Sequence, residues 1–474
     1  MKRTLAIAAA LAMAFAAAGC TTPSHDVSAS ERPLATPRQP DSTPNRAPRR
    51  DAPAPQHASG ASGHSAGLTL DQCIDIALRS NPGIAQKQWD TKTALAEKDM
   101  AKGSLWPAIS AVGGYSYYRD DRLIKPRRPG TLEVLGFTDQ LVSGDLVLTM
   151  PLYTGGRLIN QVRAAELMSQ SAKLQLLHSR TELVFNVSSV FYSMLGQREV
   201  ISSLIFSQKA LQEHHKRVSE LLHAQKAAKV DLLRTEVRLA DIQQQLLRQE
   251  NVLNIQRFLL ISLLGLDGHT DDLQIEGELT QTDASADLSH GLASAFNNRN
   301  DYQALQSRIA AQGKRLKMAK AGHLPQVSLR ASYGNRWAAD SDEDNEVGEV
   351  GVFGVLPLFE GGRIVAGVRR ERSRLRAQKE ALRKLRLQIQ LEVQTATSNI
   401  ESTHARVGVT QKAVEQARES LRIEREKYDF GKGAIVDVLD AQSALLDSQT
   451  NYYQALADHN TAQAQFRLAV GERQ

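Results

Sequence analysis

The chain has 474 residues, with 58 Lys and Arg against 52 Asp and Glu, a formal charge of +6, and 42% hydrophobic residues. Mean hydropathy is -0.34, and past the N-terminus no apolar run reaches the roughly 20 residues a membrane-crossing helix requires, which excludes a multi-pass helical membrane protein. Two cysteines, Cys20 and Cys73, are too few for a disulfide scaffold or a thiolate-rich zinc site, and the charge is spread too thinly to imply a nucleic-acid partner.

Residues 1–20 begin with Lys2 and Arg3, continue as an apolar stretch from Leu5 to Ala18, and end on small residues before Cys20, the pattern of an export signal. Ala17-Ala18-Gly19-Cys20 resembles the lipobox of bacterial lipoproteins, in which the cysteine is acylated, palmitate included, and becomes the mature N-terminus; the usual Leu is Ala17 here. Ordinary signal cleavage nearby is the alternative. Thr21, rather than Asp, after the cysteine accompanies sorting to the outer membrane in such lipoproteins. Residues 21–66 are rich in Pro, Ser and Ala and read as a disordered linker. Gly63-His64-Ser65-Ala66-Gly67 matches the nucleophile elbow of serine hydrolases, but neither flank supplies the strand and helix that motif needs, so it reads as a chance match and the chain as no enzyme.

From residue 67 onward the sequence is duplicated. Pro151-Leu152-Tyr153-Thr154-Gly155-Gly156-Arg157 answers Pro357-Leu358-Phe359-Glu360-Gly361-Gly362-Arg363, and 357 minus 151 is 206. Val230-Asp231-Leu232-Leu233 answers Val436-Asp437-Val438-Leu439 at the same offset, as Gly265 answers Gly471. Upstream, Asn81 answers Asn300 at 219 and Pro107 answers Pro325 at 218. The expected repeats are 67–285 and 286–474.

Each repeat changes period in the same order. Residues 70–104 and 300–322 carry helical spacing, and alternation follows: Val327, Leu329, Ala331, Tyr333 and Trp337 on one face, Gln326, Ser328, Arg330, Ser332 and Arg336 on the other. Ile109, Ala111, Tyr115 and Tyr117 repeat the pattern in the first copy, Val142, Leu146, Leu148 and Met150 mark its partner strand, and 348–356 supply a fourth. Hydrophilic turns are expected from Arg119-Asp120-Asp121-Arg122 through Pro129-Gly130, and over Asp340–Glu346. The second begins like a calcium loop but has Asn345 and Gly351 where an EF-hand needs Gly and Glu.

After each PLxxGGR turn a helical period resumes. Residues 157–222 would make a helix of about 100 Å at about 1.5 Å per residue. Leu177, Val184, Val187, Phe191, Met194 and Ile201, and in the second copy Leu382, Leu385 and Ile389, form a seam that seeks neighbouring helices. Further helices near 230–264 and 436–470 complete two antiparallel hairpins.

The expected fold is mainly α with a transmembrane β part, a duplicated unit of helix, β-hairpin and long helical hairpin. Strands of about ten residues span a bilayer, yet four cannot close a barrel and an open edge in lipid is costly. Three chains give a 12-stranded β-barrel continuous with a 12-helix α-barrel.

Leu68-Thr69-Leu70 through Asn81-Pro82, both PLxxGGR turns and Tyr428 through Ala441 resemble the TolC-like outer-membrane efflux family. The resemblance implies a passive export channel of a tripartite efflux or secretion system: a homotrimer set in outer-membrane lipid, reaching across the periplasm to a membrane-fusion adaptor and an inner-membrane pump, either resistance-nodulation-division or ATP-driven. It places Asp437 and Asp440 at the constriction and Tyr428 in the links that hold it shut, with Gly431, Lys432, Gly433 and Asp231 at the tip; a family arginine of those links is matched by Gly433. Pro151, Gly155, Gly156, Pro357, Gly361 and Gly362 form the barrel-to-helix turns, and Cys20 is the lipidation site. Three chains would set rings of like charge in a narrow opening, which attracts cations; a plain helix N-terminal role for Asp437 is the alternative.

His214, His215 and His223 lack the carboxylate or thiolate partners of a metal shell. The basic run from Arg363 to Arg386 lacks interleaved aromatics and reads as a solvated face or a contact with anionic lipid, not a nucleic-acid site. No phosphate loop is present, and no cofactor is expected. The rival reading, a periplasmic coiled-coil adaptor, requires one helical hairpin flanked by β-domains rather than two hairpins alternating with paired strands.

Overall fold

A computed structural model describes residues 67–125, 136–225, 228–266, 273–281, 287–340, 342 and 344–472, all within one compact unit spanning Gly63–Gln474. The export signal, Cys20, the linker, the Ser65 motif, Pro129-Gly130 and Lys226-Ala227 lie outside the described residues.

Each copy opens with two short helices. In the first, α1 is Leu70–Ser80 and α2 is Pro82–Gly103. A capping box starts α1: the Gln72 N–H donates to Thr69 Oγ1 at 3.4 Å and the Thr69 N–H to Gln72 Oε1 at 3.0 Å. Asn81 ends α1 and caps α2, accepting from the Ile84 N–H at 3.2 Å, with Pro82 in the first turn. The stretch 70–104 is therefore two helices, because Pro82 donates no N–H to continue the ladder.

Strands β1 (Ala108–Lys125) and β2 (Gly136–Tyr153) follow, then helix α3 (Arg157–His223) and its return α4 (Lys229–Leu264). The second copy gives α5 (Leu288–Asn298), α6 (Asn300–Lys320), strands β3 (Gln326–Ala338) and β4 (Asp344–Val355), and helices α7 (Arg363–Asp429) and α8 (Ile435–Val470). Helix α5, rich in Ser, Ala, Asn and Gly, is an element the periodicity did not reveal.

The sheet is a four-stranded antiparallel meander in the order β1-β2-β3-β4, so β2 and β3 join the two copies. Its register sorts the side chains cleanly. Tyr115 faces Val142 and Val142 faces Trp337; Leu146 faces Tyr333; Leu329 faces Val352. This apolar face is open, with Ile109 at 72%, Leu146 at 59% and Val350 at 77% exposure. The opposite face carries Ser110, Ser143, Asp145, Arg330, Ser332 and Arg336, with the Arg336 guanidinium donating to Asp145 Oδ1 at 2.6 Å. Both outer strands keep one side of their ladder unpaired among the described residues.

Strands of 18, 18, 13 and 12 residues exceed the expected ten. The hydrophilic Arg119–Arg122 segment belongs to β1, and pairing resumes at Arg122 with Thr138 after a register shift. Asp344, Asn345 and Glu346 likewise lie in β4 opposite Trp337, Arg336 and Asn335. Ladder bonds are made by the backbone, and these charged side chains find partners at the sheet's far end: Asn335 Nδ2 donates to Asp344 at 3.2 Å and the Tyr333 hydroxyl to Glu346 at 3.3 Å.

Helices α3 and α7 have 67 residues each, about 100 Å of rise. Each is accompanied along one half by α2 or α6 and along the other by α4 or α8. Where the two companions meet, Gly265 ends α4 at φ +68° with its α-carbon so close to α1 that a Cβ would lie 2.4 Å from the Ser80 carbonyl oxygen. Asn81 Nδ2 closes the same junction on the Leu263 carbonyl at 2.9 Å. Val184, Val187, Phe191 and Met194 are buried as the seam predicts, but Leu177 is exposed, and beyond Met194 the core passes to Val200 and Leu204 instead of Ile201. A 3.6-residue helix drifts by about 20° per heptad, which moves the seam by one position over this distance.

Candidate functional site

The hairpin that turns α7 into α8 begins with a tight C-terminal cap. Gly431 adopts φ +68°, and the Gly431 and Lys432 N–H groups donate to the carbonyls of Tyr428 at 2.9 Å and Lys427 at 2.8 Å. Lys432, Gly433 and Ala434 then lead into α8. The turn closes so tightly that a Cβ on Gly433 would stand 3.1 Å from Lys427 Cβ and 3.2 Å from the Tyr428 nitrogen.

Asp437 sits in the first turn of α8 and accepts from the Ala434 N–H at 3.4 Å. Asp440 follows one turn later; both carboxylates are exposed while Val438 and Leu439 between them are buried. The two aspartates share one concave surface with Glu424, Lys427 and Lys432. Asp440 also borders a second groove, in which Val436 and Leu439 face Val230, Leu233 and Val237 of α4.

Tyr428 fixes the end of α7 in two directions. It packs against the cluster of Ile435, Leu439 and Leu446 with Val200 and Leu204, and against Leu421, Val438 and Leu445. Burial, with the negative charges of Asp231 and Asp429 added, pushes its hydroxyl above the usual tyrosine range. Its ring lies 5.5 Å from that of His214 on α3. Burial, then the neighbouring Arg425 and Arg217, keeps His214 below the ordinary histidine range, and its Nε2 is buried without a partner.

Two connections between the hairpins lie outside the residues expected from the sequence. Arg217 of α3 pairs with Asp429 at the end of α7 at 3.0 Å. Arg425 donates to Gln442 Oε1 at 2.7 Å, and Gln442 Nε2 donates to Ser207 Oγ at 3.0 Å, forming a polar chain from α7 through α8 to α3. Gln442 was the detectable member: it occupies a core position of an otherwise apolar seam, at 4% exposure. Asp231 stands in the first turn of α4, and its carbonyl accepts from Thr235 Oγ1 at 2.9 Å. His215 turns to Glu236 at 3.3 Å, His223 is exposed, and no metal-holding group of side chains occurs among the described residues.

At the opposite end of the long helices, Gly155 and Gly156 take φ +60° and +77°, and Gly361 and Gly362 take +56° and +79°. Pro151 lies in β2 opposite Ser328, while Pro357 follows the end of β4. The first turn is packed: a Cβ on Gly155 would meet Leu324 Cβ at 2.7 Å. In the second nothing lies near Gly361, and Leu358 and Phe359 are each 89% exposed.

A four-stranded sheet with one apolar and one polar face, joined through left-handed glycine turns to helices of about 100 Å, defines a mainly helical protein with a small amphipathic sheet at one end of long helical hairpins. The family model for outer membrane efflux proteins matches residues 73–266 and 291–472. The chain belongs to this family and is an outer-membrane export conduit. It is 23% identical over 442 residues to the outer membrane protein TolC of Salmonella enteritidis, covering 87% of this chain and 84% of TolC. It is 21% identical over 417 residues to nodulation protein T of Rhizobium leguminosarum bv. trifolii, covering 85% of each. The fold matches that of the outer membrane protein VceC of Vibrio cholerae with a TM-score of 0.73 at 18% identity, covering 85% of this chain and 96% of VceC.

Proposed function

We propose that three copies of this chain assemble into a 12-stranded β-barrel continuous with a 12-helix tunnel, and that the tunnel carries cargo passively from an inner-membrane pump and its periplasmic adaptor to the exterior. The observation that carries this reading is the mismatch between equivalent surfaces of the two repeats, taken as 67–285 and 286–474. Leu439 and Leu446 of α8 are 9% and 3% exposed, packed on Val200, Leu204 and Leu211 of α3. Their counterparts 206 residues earlier, Leu233 and Ala240 of α4, lie open, Leu233 at 49%. On the other edge, Val409 of α7 is 68% exposed, whereas its counterpart Ser203 of α3 is 7% exposed. Within one chain α3 covers α8; the same contact made by α7 of one copy on α4 of the next covers both open faces. The pairing of β2 with β3, repeated as β4 with a neighbour's β1, closes the sheet and satisfies its edges, each unpaired group costing several kcal/mol in lipid.

In this assembly Asp437 and Asp440 ring the narrow end of the tunnel, Tyr428 braces it, and Cys20 carries the lipid that adds an anchor at the outer membrane. The Gly431–Gly433 turn with Asp231 forms the tip offered to the adaptor. Arg217–Asp429 supplies an inter-hairpin tie in a tip whose position 433 has no side chain. The test is the oligomeric state of the full-length protein extracted from outer membranes. A heat-resistant trimer in electrophoresis is the expected result; a monomer in mild detergent with a water-soluble fraction would refute the shared barrel.

A further inference from the structure

Midway along the molecule, where α8 ends beside the start of α6, a cleft of about 210 Å³ opens against α3. Its apolar wall includes Leu78, Leu177, Val184, Phe185 and Leu468. Two guanidinium groups border it, Arg180 of α3 and Arg467 of α8, and neither forms an ion pair with a described residue. Arg180 Nε is buried without a hydrogen-bond partner.

The third polar group is Asn300. It is 7% exposed, lines the cleft, and its Oδ1 is buried with no partner. In the first repeat Asn81 accepts from the Ile84 N–H and donates to the Leu263 carbonyl; the residue in its place in the second repeat, ending α5 and preceding α6, is Arg299, so the sequence match of Asn81 with Asn300 slips by one residue in the structure. Residue 469 is 206 after 263, and Arg299 donates to the Ala469 carbonyl at 3.4 Å, as Asn81 does to that of Leu263. Asn300 is the first residue of α6, at the place of Pro82 in the first repeat. A terminal amide offers either its oxygen or its NH2 to a ligand by a half-turn of χ2.

The neighbouring acids are already engaged: Asp301 and Glu392 with Arg299, and Glu182 with His178 at 3.3 Å. Glu472 stands at the rim and is exposed. A cleft with two available cations, an idle buried amide and an apolar wall is complementary to a small anion with a compact apolar body. Its volume lies below the about 300 to 1,000 Å³ of drug-sized sites, so the fit is to a fragment such as an aromatic or short-chain carboxylate, not a two-chain lipid.

We propose that this waist cleft is a binding site for small apolar carboxylates, held by Arg180, Arg467 and Asn300. It is built from elements of a single chain and does not depend on the gate assignment. The test is equilibrium dialysis of carbon-14 benzoate against the full-length protein in phosphatidylcholine nanodiscs, with protein-free nanodiscs as the blank. One saturable site per chain is expected. Arg467→Gln, an exposed helix position, should weaken binding by about tenfold or more, since one charged hydrogen bond is worth about 1.5 to 3 kcal/mol. Leu177→Trp should fill the cleft and abolish binding, and hexanoate should compete where inorganic phosphate at the same concentration does not. Uptake equal to the blank, binding unchanged in both variants, or displacement by phosphate as effective as by hexanoate would each overturn the proposal.

Discussion

The carboxylates of Asp437 and Asp440 stand one helical turn apart on an exposed face, and each is followed by a side chain that packs inward, Val438 and Ala441. Their direction is thus fixed by packing, while their charge is left to the solvent. In the proposed trimer, three such pairs around one axis would attract cations and bind multivalent ones more tightly. We expect Asp437→Asn with Asp440→Asn to reduce cation preference and divalent-ion block in single-channel recordings; unchanged selectivity and block would leave Asp437 as a helix N-terminal acid only. The acids were legible through the resemblance of Tyr428 through Ala441 to a family tip; repeat symmetry marks only Asp437, which Asp231 answers, while Arg234 stands at the place of Asp440. Arg217, His214 and Ser207 were not, since they reach the tip from a helix some 200 residues away in sequence, and nothing in the local spacing of α3 marks them.

At the scale of elements, periodicity located the strands and long helices, because burying one stripe or one face enforces a period. It placed the strand ends poorly. Charged residues at Arg119–Arg122 and Asp344–Glu346 look like loops, yet a ladder is extended by backbone bonds wherever a partner strand continues, as Arg122 does opposite Thr138. Helix α5 was missed because its 11 residues include Gly291, two Ser and two Asn, which disfavour helices until packing at Ala295 and Gly291 against α7 and α8 overrides them. The two faces of the sheet make a contrast that can be measured. Leu148→Arg places a cation on the apolar face and should cost about 2 to 4 kcal/mol near mid-membrane, lowering the yield of inserted protein. Ser332→Arg, on the polar face beside Arg330 and Arg336, should insert normally and alter ion selectivity instead.

The whole molecule is two copies of one plan in which some surfaces are covered in one copy and open in the other. The duplication was readable from the offset of 206, but which surfaces remain open was not, because Leu233 and Leu439 occupy identical places in their repeats. Only their exposures, 49% and 9%, separate them. Leu233→Asp therefore should leave the secondary structure of the chain intact by circular dichroism while preventing trimer recovery, since it would bury an unpaired carboxylate between subunits. Trimers at wild-type yield would show that this seam stays wet.

The unpaired flanks of β1 and β4 also govern biogenesis. A lone ribbon of this kind has no resting place: water is hostile to its oily side and hydrocarbon to its bare amides. If the proposed trimer closes the sheet, entry into the bilayer and meeting of sister chains would be one kinetic event. For the proposed trimer, output should then rise more steeply than in proportion to the rate of synthesis.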